Sequence, residues 1–594
     1  MWFGSRFDDI FEVRGFRREK RGTHLTPEHH QVTLGYQGLD HITRKTRVTR
    51  FFKTEKIRQT PSLGGQFLRL SLAPQEEIDL RSRVDFDLDR KIQDEDFQKL
   101  EIIEAIRFLG SSPGESSIFL SPRIETDHAI MNRAIERSRI DLQMLITENP
   151  NLNQEKPSLI PFAGIPWFSA PFGRDSIITA YQLLPWHTQI AKEVLDFVFE
   201  HLGKTEDPFT DEQPGKVFHE LRMGEMAHTR EVPFIPYFGT VDATPLALIL
   251  MHEYLKWTHD RESLERWWPQ AMKCLVWLEH FGDHDRDGFI EYHRLSPTGL
   301  VHQGWKDSHD SIMHSDGAPA QSPIRLCEVQ AYAYRAYMGC AELAVLRGEH
   351  AMAASLKTRA VHLRARFGDL FWDSEQESIV LALDEKRRPC RVQSSNMGHC
   401  LWGGIVNYPQ AKRVSNLLLG PDLFMGYGIR TLSRKEVAYN PMSYHNGSVW
   451  PHDNSLILEG LRNYGLTTET ETLAGALLDV LESVQDYRLP ELFCGFKRRG
   501  FEPPVPYPVA CKPQAWAAGS LFLLLKSMLG ISIDLDQDHL ILRTPILAGR
   551  LREIRISQLE IRGQKLDLHF HKSVDRVQVE IPRMDSGMRV LIVK

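Results

Sequence analysis

Between residues 126 and 530, apolar residues return at helical spacing in about twelve separate stretches. No other feature limits the fold as strongly. The first stretch covers 129–146, with Ile130, Met131, Ala134, Ile140, Leu142 and Leu145 in phase. The others are expected near 175–184, 188–202, 243–258, 262–280, 325–347, 350–372, 395–405, 409–419, 450–463, 467–485 and 513–529. They come mostly in pairs, separated by either tight turns or long loops rich in Gly, Pro, His and Trp. Twelve helices with long connections at alternate junctions predict two concentric rings of six, an (α/α)6 barrel. Loops of that length inside a compact domain usually carry function.

The flanks read differently. Residues 1–122 are β-rich, with period-two alternation at 32–36, 47–52 and 66–72. Short strands of this kind suggest a sandwich-like domain. Phe7, Ile10 and Phe11 look like core from the outset, and the Gly/Pro/Ser-rich stretch 110–117 reads as a linker. After 530 the alternation returns, at 539–542, 566–570 and 577–581. The expected organisation is an N-terminal β-rich domain (1–122), a mainly α catalytic domain (123–530) and a small C-terminal β appendage (531–594).

A net charge of −6 gives no electrostatic case for nucleic acid or an anionic membrane, so neither is expected as a partner. The basic run 14–21 is read as a solvated hairpin. Seven cysteines without a CxxC pair suit a reducing compartment. The first residues lack the pattern of a signal peptide, and the expected location is cytoplasmic.

Four loops carry the chemistry. The stretch 161–176, PFAGIPWFSAPFGRDS, puts Trp167, Phe168 and Phe172 beside Arg174 and Asp175. Flat apolar faces next to charged planar groups suit a sugar ring, although a structural Arg–Asp pair is the plainer reading. In 302–311, HQGWKDSHDS, an Asp beside Trp305 is a plausible general acid, since partial desolvation raises a carboxyl pKa. Asp307 and Asp310 both qualify, and Lys306 opposes the effect if it points the same way. In 488–496, RLPELFCGF, Glu491 is a lone carboxylate among apolar residues. It is either a water-activating base or the ion-pair partner of Arg488. The stretch 439–454 holds three Asn, two His and Trp450. Its His445 and His452 lack zinc-motif spacing, so hydroxyl binding is expected rather than a metal. A fifth motif, Asp283 to Asp287, copies half of an EF-hand loop, but Arg294 stands where the bidentate Glu belongs, which favours a simple turn over a weak cation site.

Two separated carboxylates among aromatic and hydroxyl-binding groups fit glycoside hydrolysis. At this point the chain resembles the bacterial glycogen-debranching-enzyme family, the amylo-α-1,6-glucosidase-like proteins related to glucoamylases and trehalases. The resemblance rests on PFAGIPWFSAPFGRDS, GKVFHELRMGE, YFGTVDATPL, GWKDSHDS, CEVQAYAY, GYGIRTLS, YNPMSYHNGSVWPHDN and LPELFCG, in that order. It implies an inverting enzyme with Asp307 as general acid and Glu491 as general base, their carboxyls roughly 6.5–9.5 Å apart to admit a water. Arg174 and Asp175 would hold the non-reducing glucose. Trp167, Trp305, Asp310, Glu328, Asn446, Trp450 and His452 are further candidates for substrate contact. The substrate would be an α-glucan or oligosaccharide, with no cofactor and no metal. Family members usually carry a longer N-terminal β-domain, which implies a shortened one here. Rival readings are a glycosidase for a small disaccharide or glucosylated metabolite, a silent glycan-binding protein, and a phosphorolytic enzyme using Lys497, Arg498 and Arg499.

Overall fold

The computed structural model describes residues 7–16, 23–27, 31–51, 57–62, 65–70, 73, 81–88, 122–149, 158–484, 486–535, 539–574, 576–587 and 589–593. The expected linker 110–117 and most of the basic run 14–21 lie outside them. The chain is mixed, helical and sheet, and divides into two compact units.

The smaller unit comprises residues 1–114 and 222–235. Four antiparallel strands form one sheet in the order His24–Pro27, Gln31–Gln37, Thr43–Phe51, Arg81–Leu88, and Ile57–Ser62 pairs with Gly65–Leu70 as a hairpin. Val32, Leu34 and Tyr36 alternate into one buried face, as a period of two demands. The distant segment 222–235 is held in this unit by two carboxylates. Glu225 accepts from the Tyr36 hydroxyl (2.8 Å), and Asp9 accepts from Met226 N–H (3.0 Å).

The larger unit comprises 115–221 and 236–594. Its long helices are α1 (Ala129–Leu145), α2 (Gly173–Leu183), α3 (Thr188–Glu200), α4 (Ala243–Thr258), α5 (Arg261–His280), α6 (Cys327–Leu346), α7 (His350–Leu370), α8 (Asn396–Gly403), α9 (Tyr408–Leu418), α10 (Pro451–Asn463), α11 (Thr467–Ser483) and α12 (Ala515–Leu529). The even-numbered helices pack in a cycle. Each touches the next, and α12 returns to α2. The odd-numbered helices pack outside: α3 on α2 and α4, α5 on α4, α7 on α6, α9 on α8, α11 on α10, and α1 on α12.

Residue composition explains the two roles. Every residue of α2 and α12 is buried, and both are surrounded. By contrast α7 buries one stripe, Ala353, Leu356, Ala360, Leu363 and Phe367, at alternating steps of three and four. The outer helices α5 and α9 begin on capping side chains, Asp260 and Asn407. The inner helices have no side-chain cap at their first turns. Those first turns carry Arg174, Asp175, Glu328, His452 and Asp453.

The C-terminal residues form a sheet in the order Val577–Met584, Gln564–Lys572, Glu553–Ile561, Arg123–Thr126, so a strand from before α1 completes it. Ile531–Ile533, His539–Arg543 and Arg589–Val593 form another. All seven cysteines are buried and unpaired. Among the described residues no helix is long and apolar enough to cross a membrane.

Candidate active site

The helix α2 begins at Gly173, two residues before its expected start near 175, so Arg174 and Asp175 both lie in its first turn. Gly173 is required there, because a Cβ would sit 2.2 Å from the Phe218 carbonyl oxygen. Arg174 is buried to 2% exposure and links three segments. Its Nε donates to Asp242 (2.8 Å), its Nη2 to the Gly304 carbonyl (2.8 Å), and its Nη1 lies 3.5 Å from the Asp307 carboxylate. The ion-pair partners of Arg174 are therefore Asp242 and Asp307, not the adjacent Asp175. Val241 N–H donates to Gln303 O (2.9 Å), which holds the loop before α4 beside the loop carrying Asp307.

Asp307 keeps 28% of its side-chain surface, enough to meet a ligand. Burial pushes its carboxyl up to about 6; Arg174 pulls down, while Asp242 and Glu220 push up. Lys306 does not interfere. It donates to the Thr431 carbonyl (2.5 Å), and its charge acts on Asp453 and Glu328. Asp310 is exposed, and only its backbone carbonyl is used, by Asn446 Nδ2 (3.0 Å). The structure thus separates the two aspartates that spacing left equivalent, and it leaves the Asp310 side chain outside the cluster.

Glu491 is 1% exposed. Its segment is set by reciprocal backbone bonds between Phe493 and Val449 (3.0 and 2.9 Å). Tyr444 O–H donates to Oε1 and Cys511 N–H to Oε2, both at 2.6 Å. Burial pushes this carboxyl up to about 6 against those two donors, with the Asp307 charge adding to the rise. Each oxygen keeps a lone pair for a proton from water. Arg488 is not its partner, since that guanidinium grips Asp141 through two bonds (2.6 and 2.7 Å). Asp175 lies in the field of both groups, and burial pushes it up to about 8. At neutral pH it holds a proton and can donate.

The remaining candidates separate by depth. Trp167 is half-buried, with Nε1 on the Val509 carbonyl (3.0 Å). Trp305, Trp450 and His452, candidates for substrate contact, are buried. Trp305 stacks on His399 and meets His452 edge-on, while His452 stacks on Trp516 with ring centroids 3.7 Å apart. His452 is held well below its ordinary value by burial and by His399. They form an aromatic floor that fixes the loops above. Asn446 is buried with its Oδ1 unpartnered. Glu328, fully buried at the start of α6, has an unpartnered Oε1 and a carboxyl raised by burial. His445 is kept neutral by burial and by Lys306; its Nδ1 faces the Ser308 hydroxyl (2.5 Å) and N–H.

Two side motifs resolve. Arg325 enters the Asp283 to Asp287 turn and pairs with Asp285 (2.6 Å), Asp287 (3.2 Å) and Glu291 (2.6 Å), so a guanidinium supplies the positive charge there. Arg498 is held by Asp479 and lies over the Tyr427 ring, while Lys497 and Arg499 are exposed, which gives no anion cradle at Glu491. The residues that sequence reasoning missed are Asp242, Tyr444 and the Cys511 amide. Asp242 lay in a polar loop before a helix with nothing to mark its partner, and a backbone amide has no sequence signal at all.

Residues 172–497, more than half of the chain, match the family described as mannosylglycerate hydrolase MGH1-like glycoside hydrolase domain. Residues 1–83 match the N-terminal domain of some glycogen debranching enzymes. No curated protein matches the sequence. Among solved structures, the GH78 family rhamnosidase of Bacillus sp. GL1 is 13% identical with a TM-score of 0.57, over 97% of this chain and 55% of that one. The α-L-rhamnosidase from Dictyoglumus thermophilum is 11% identical with a TM-score of 0.50, over 77% and 44%. The GH63 mannosylglycerate hydrolase from Thermus thermophilus is 17% identical with a TM-score of 0.49, over 66% and 99%. The chain spans about half the length of the rhamnosidases, and at such identities their likeness is one of fold. The family match covers α2 through the Glu491 loop, and so takes in Asp307, Glu491 and the arginine that pairs with Asp307. The chain belongs to the MGH1-like glycoside hydrolase family and is a glycoside hydrolase.

Proposed function

We propose that the two rings of helices are an (α/α)6 barrel and that the protein is an inverting α-glycosidase releasing glucose from an α-linked glucan, most readily at an α-1,6 branch stub. The supporting observation is the pair of carboxyls, half-buried Asp307 and buried Glu491, each raised to about 6, with Asp175 in the field of both. Asp307 has the exposure to reach a glycosidic oxygen and donates its proton there. Glu491, oriented by Tyr444 and Cys511, takes a proton from the attacking water on the opposite face of the ring. Asp175, protonated, donates to a sugar hydroxyl. Arg174 keeps Asp307 in position. The α-1,6 preference draws on the debranching-type N-terminal match.

Glucose release is measured from phosphorylase-trimmed limit dextrin, isomaltose and maltose, with Glu491→Gln and Asp307→Asn beside the wild type. Release of β-glucose from the α-1,6 substrates, lost in both variants, is the expected result. Retention of the α anomer would remove the inverting mechanism, and full activity of Glu491→Gln would remove the base. The family description favours a second reading, a small glycoside such as mannosylglycerate as substrate. Turnover of mannosylglycerate with none of the glucans would select it.

A further inference from the structure

The outer sheet of the C-terminal strands carries a group of side chains that the hydrolytic site does not use. His569 and His571 are two apart on Gln564–Lys572 and so share one face. Glu580 sits opposite His569 on the edge strand Val577–Met584, and Glu553 opposite His571 on the other neighbour. One ligand atom from each of His569, His571 and Glu580 lies within 4.8 Å of the others.

The proton inventory of His569 is the informative part. Its Nε2 lies 3.0 Å from Glu553 Oε1 and its Nδ1 3.3 Å from Glu580 Oε2. A neutral imidazole has one N–H and one lone pair. The Nε2 contact lacks hydrogen-bond geometry, so Glu553 holds no proton there, and whichever nitrogen carries the lone pair faces a carboxylate oxygen, which is repulsive unless a cation stands between them. The next histidine points the same way. His571 Nε2 is taken by Gln578 Oε1 (2.8 Å), while its Nδ1 is buried without a partner. Two imidazole nitrogens and one carboxylate are a donor set for zinc or another late first-row divalent ion, and a poor one for magnesium or calcium. A ligating histidine whose other N–H is held by a carboxylate is the usual supporting arrangement of such sites, and a turn of the Glu553 side chain, 3.0 Å from Nε2, would supply it.

We infer that His569, His571 and Glu580 form a zinc site that clips the edge strand Val577–Met584 to the centre of its sheet, with Glu553 orienting His569. Ligand atoms must close to about 3.3 Å for bonds of zinc length. The side chains that must turn are half-buried or exposed, so rotation suffices. A doubly protonated His569 bridging the two glutamates is the competing arrangement, and it binds no metal.

The test uses the full chain, freed of metal by chelator and titrated with Zn2+ by calorimetry at neutral pH. One zinc per chain is expected, weakened at least tenfold in His571→Ala and in Glu580→Gln, with Zn2+ raising the Tm of the wild type and of neither variant. Glu553→Gln is expected to weaken binding by about 10–100-fold. Co2+ in place of zinc is expected to give the visible absorption of a tetrahedral ion. Absence of uptake by the wild type, or uptake unchanged in both ligand variants, would overturn the site. Glu580 is exposed, so its variant keeps the test open should His571→Ala not fold.

Discussion

Arg174 holds two carboxylates of unequal exposure, and its balance between them sets the proton affinity of the acid. Asp242 offsets part of the guanidinium charge, so Asp307 stays high enough to carry a proton. Asp242→Asn removes that offset. The alkaline limb of the kcat/KM profile should then move toward acid by on the order of one pH unit, and further than the acidic limb moves. On the proposed assignment, the donor Asp307 loses its proton above about 6 and the base Glu491 takes one up below about 6. Activity should therefore peak near pH 6 and fall on both sides, with limbs that belong to the interacting pair rather than to either residue. Glu491→Gln should lower kcat by about 10²–10⁴-fold with KM little changed, since the amide oxygen can still accept from Cys511 N–H, the amide NH2 can donate to the Tyr444 oxygen once that hydroxyl turns, and the base is lost.

At the scale of elements, the base depends on a close backbone crossing. A Cβ on Gly495 would lie 1.7 Å from the Gly447 carbonyl oxygen, so the two strands of this crossing meet only because position 495 has no side chain. Gly495→Ala should cost about 1–3 kcal/mol in denaturant unfolding and also reduce kcat, because the Glu491 segment must shift to relieve the contact. Helices were the most legible part of the sequence. A 3.6-residue period marks a half-buried helix such as α7 directly, and the all-round apolar run of α12 marks a surrounded one. The start of α2 was less legible, because Pro171, Phe172 and Gly173 resemble loop chemistry until a neighbouring carbonyl explains the glycine. Asp307 and Glu491 stand out in the sequence because a carboxylate among aromatic or apolar residues is costly, although spacing left Asp307 and Asp310 equivalent. The partner of Arg174 was not legible, because Asp242 lies 68 positions away and only the fold brings the two together.

For the whole molecule, three raised carboxyls in one site make stability depend on pH. Asp175, Asp307 and Glu491 each bind their proton more tightly folded than unfolded, so the folded chain holds more protons between about 4 and 8. The sign follows: stability falls as pH rises through that window and levels off above it. Asp175→Asn should flatten the upper part of the slope and raise Tm at pH 8 while impairing substrate affinity. A Tm for the variant that tracks the wild type from pH 5 to 8 would show that Asp175 is ionised throughout. The order of helices around the inner ring has a consequence for synthesis. The ring is shut by α12, the last helix made, against α2, the first of the inner six. For more than three hundred residues of translation α2 has no partner on that side, although every one of its residues ends up buried. Chains halted before α12 therefore leave α2 without its closing neighbour and should aggregate rather than fold in part.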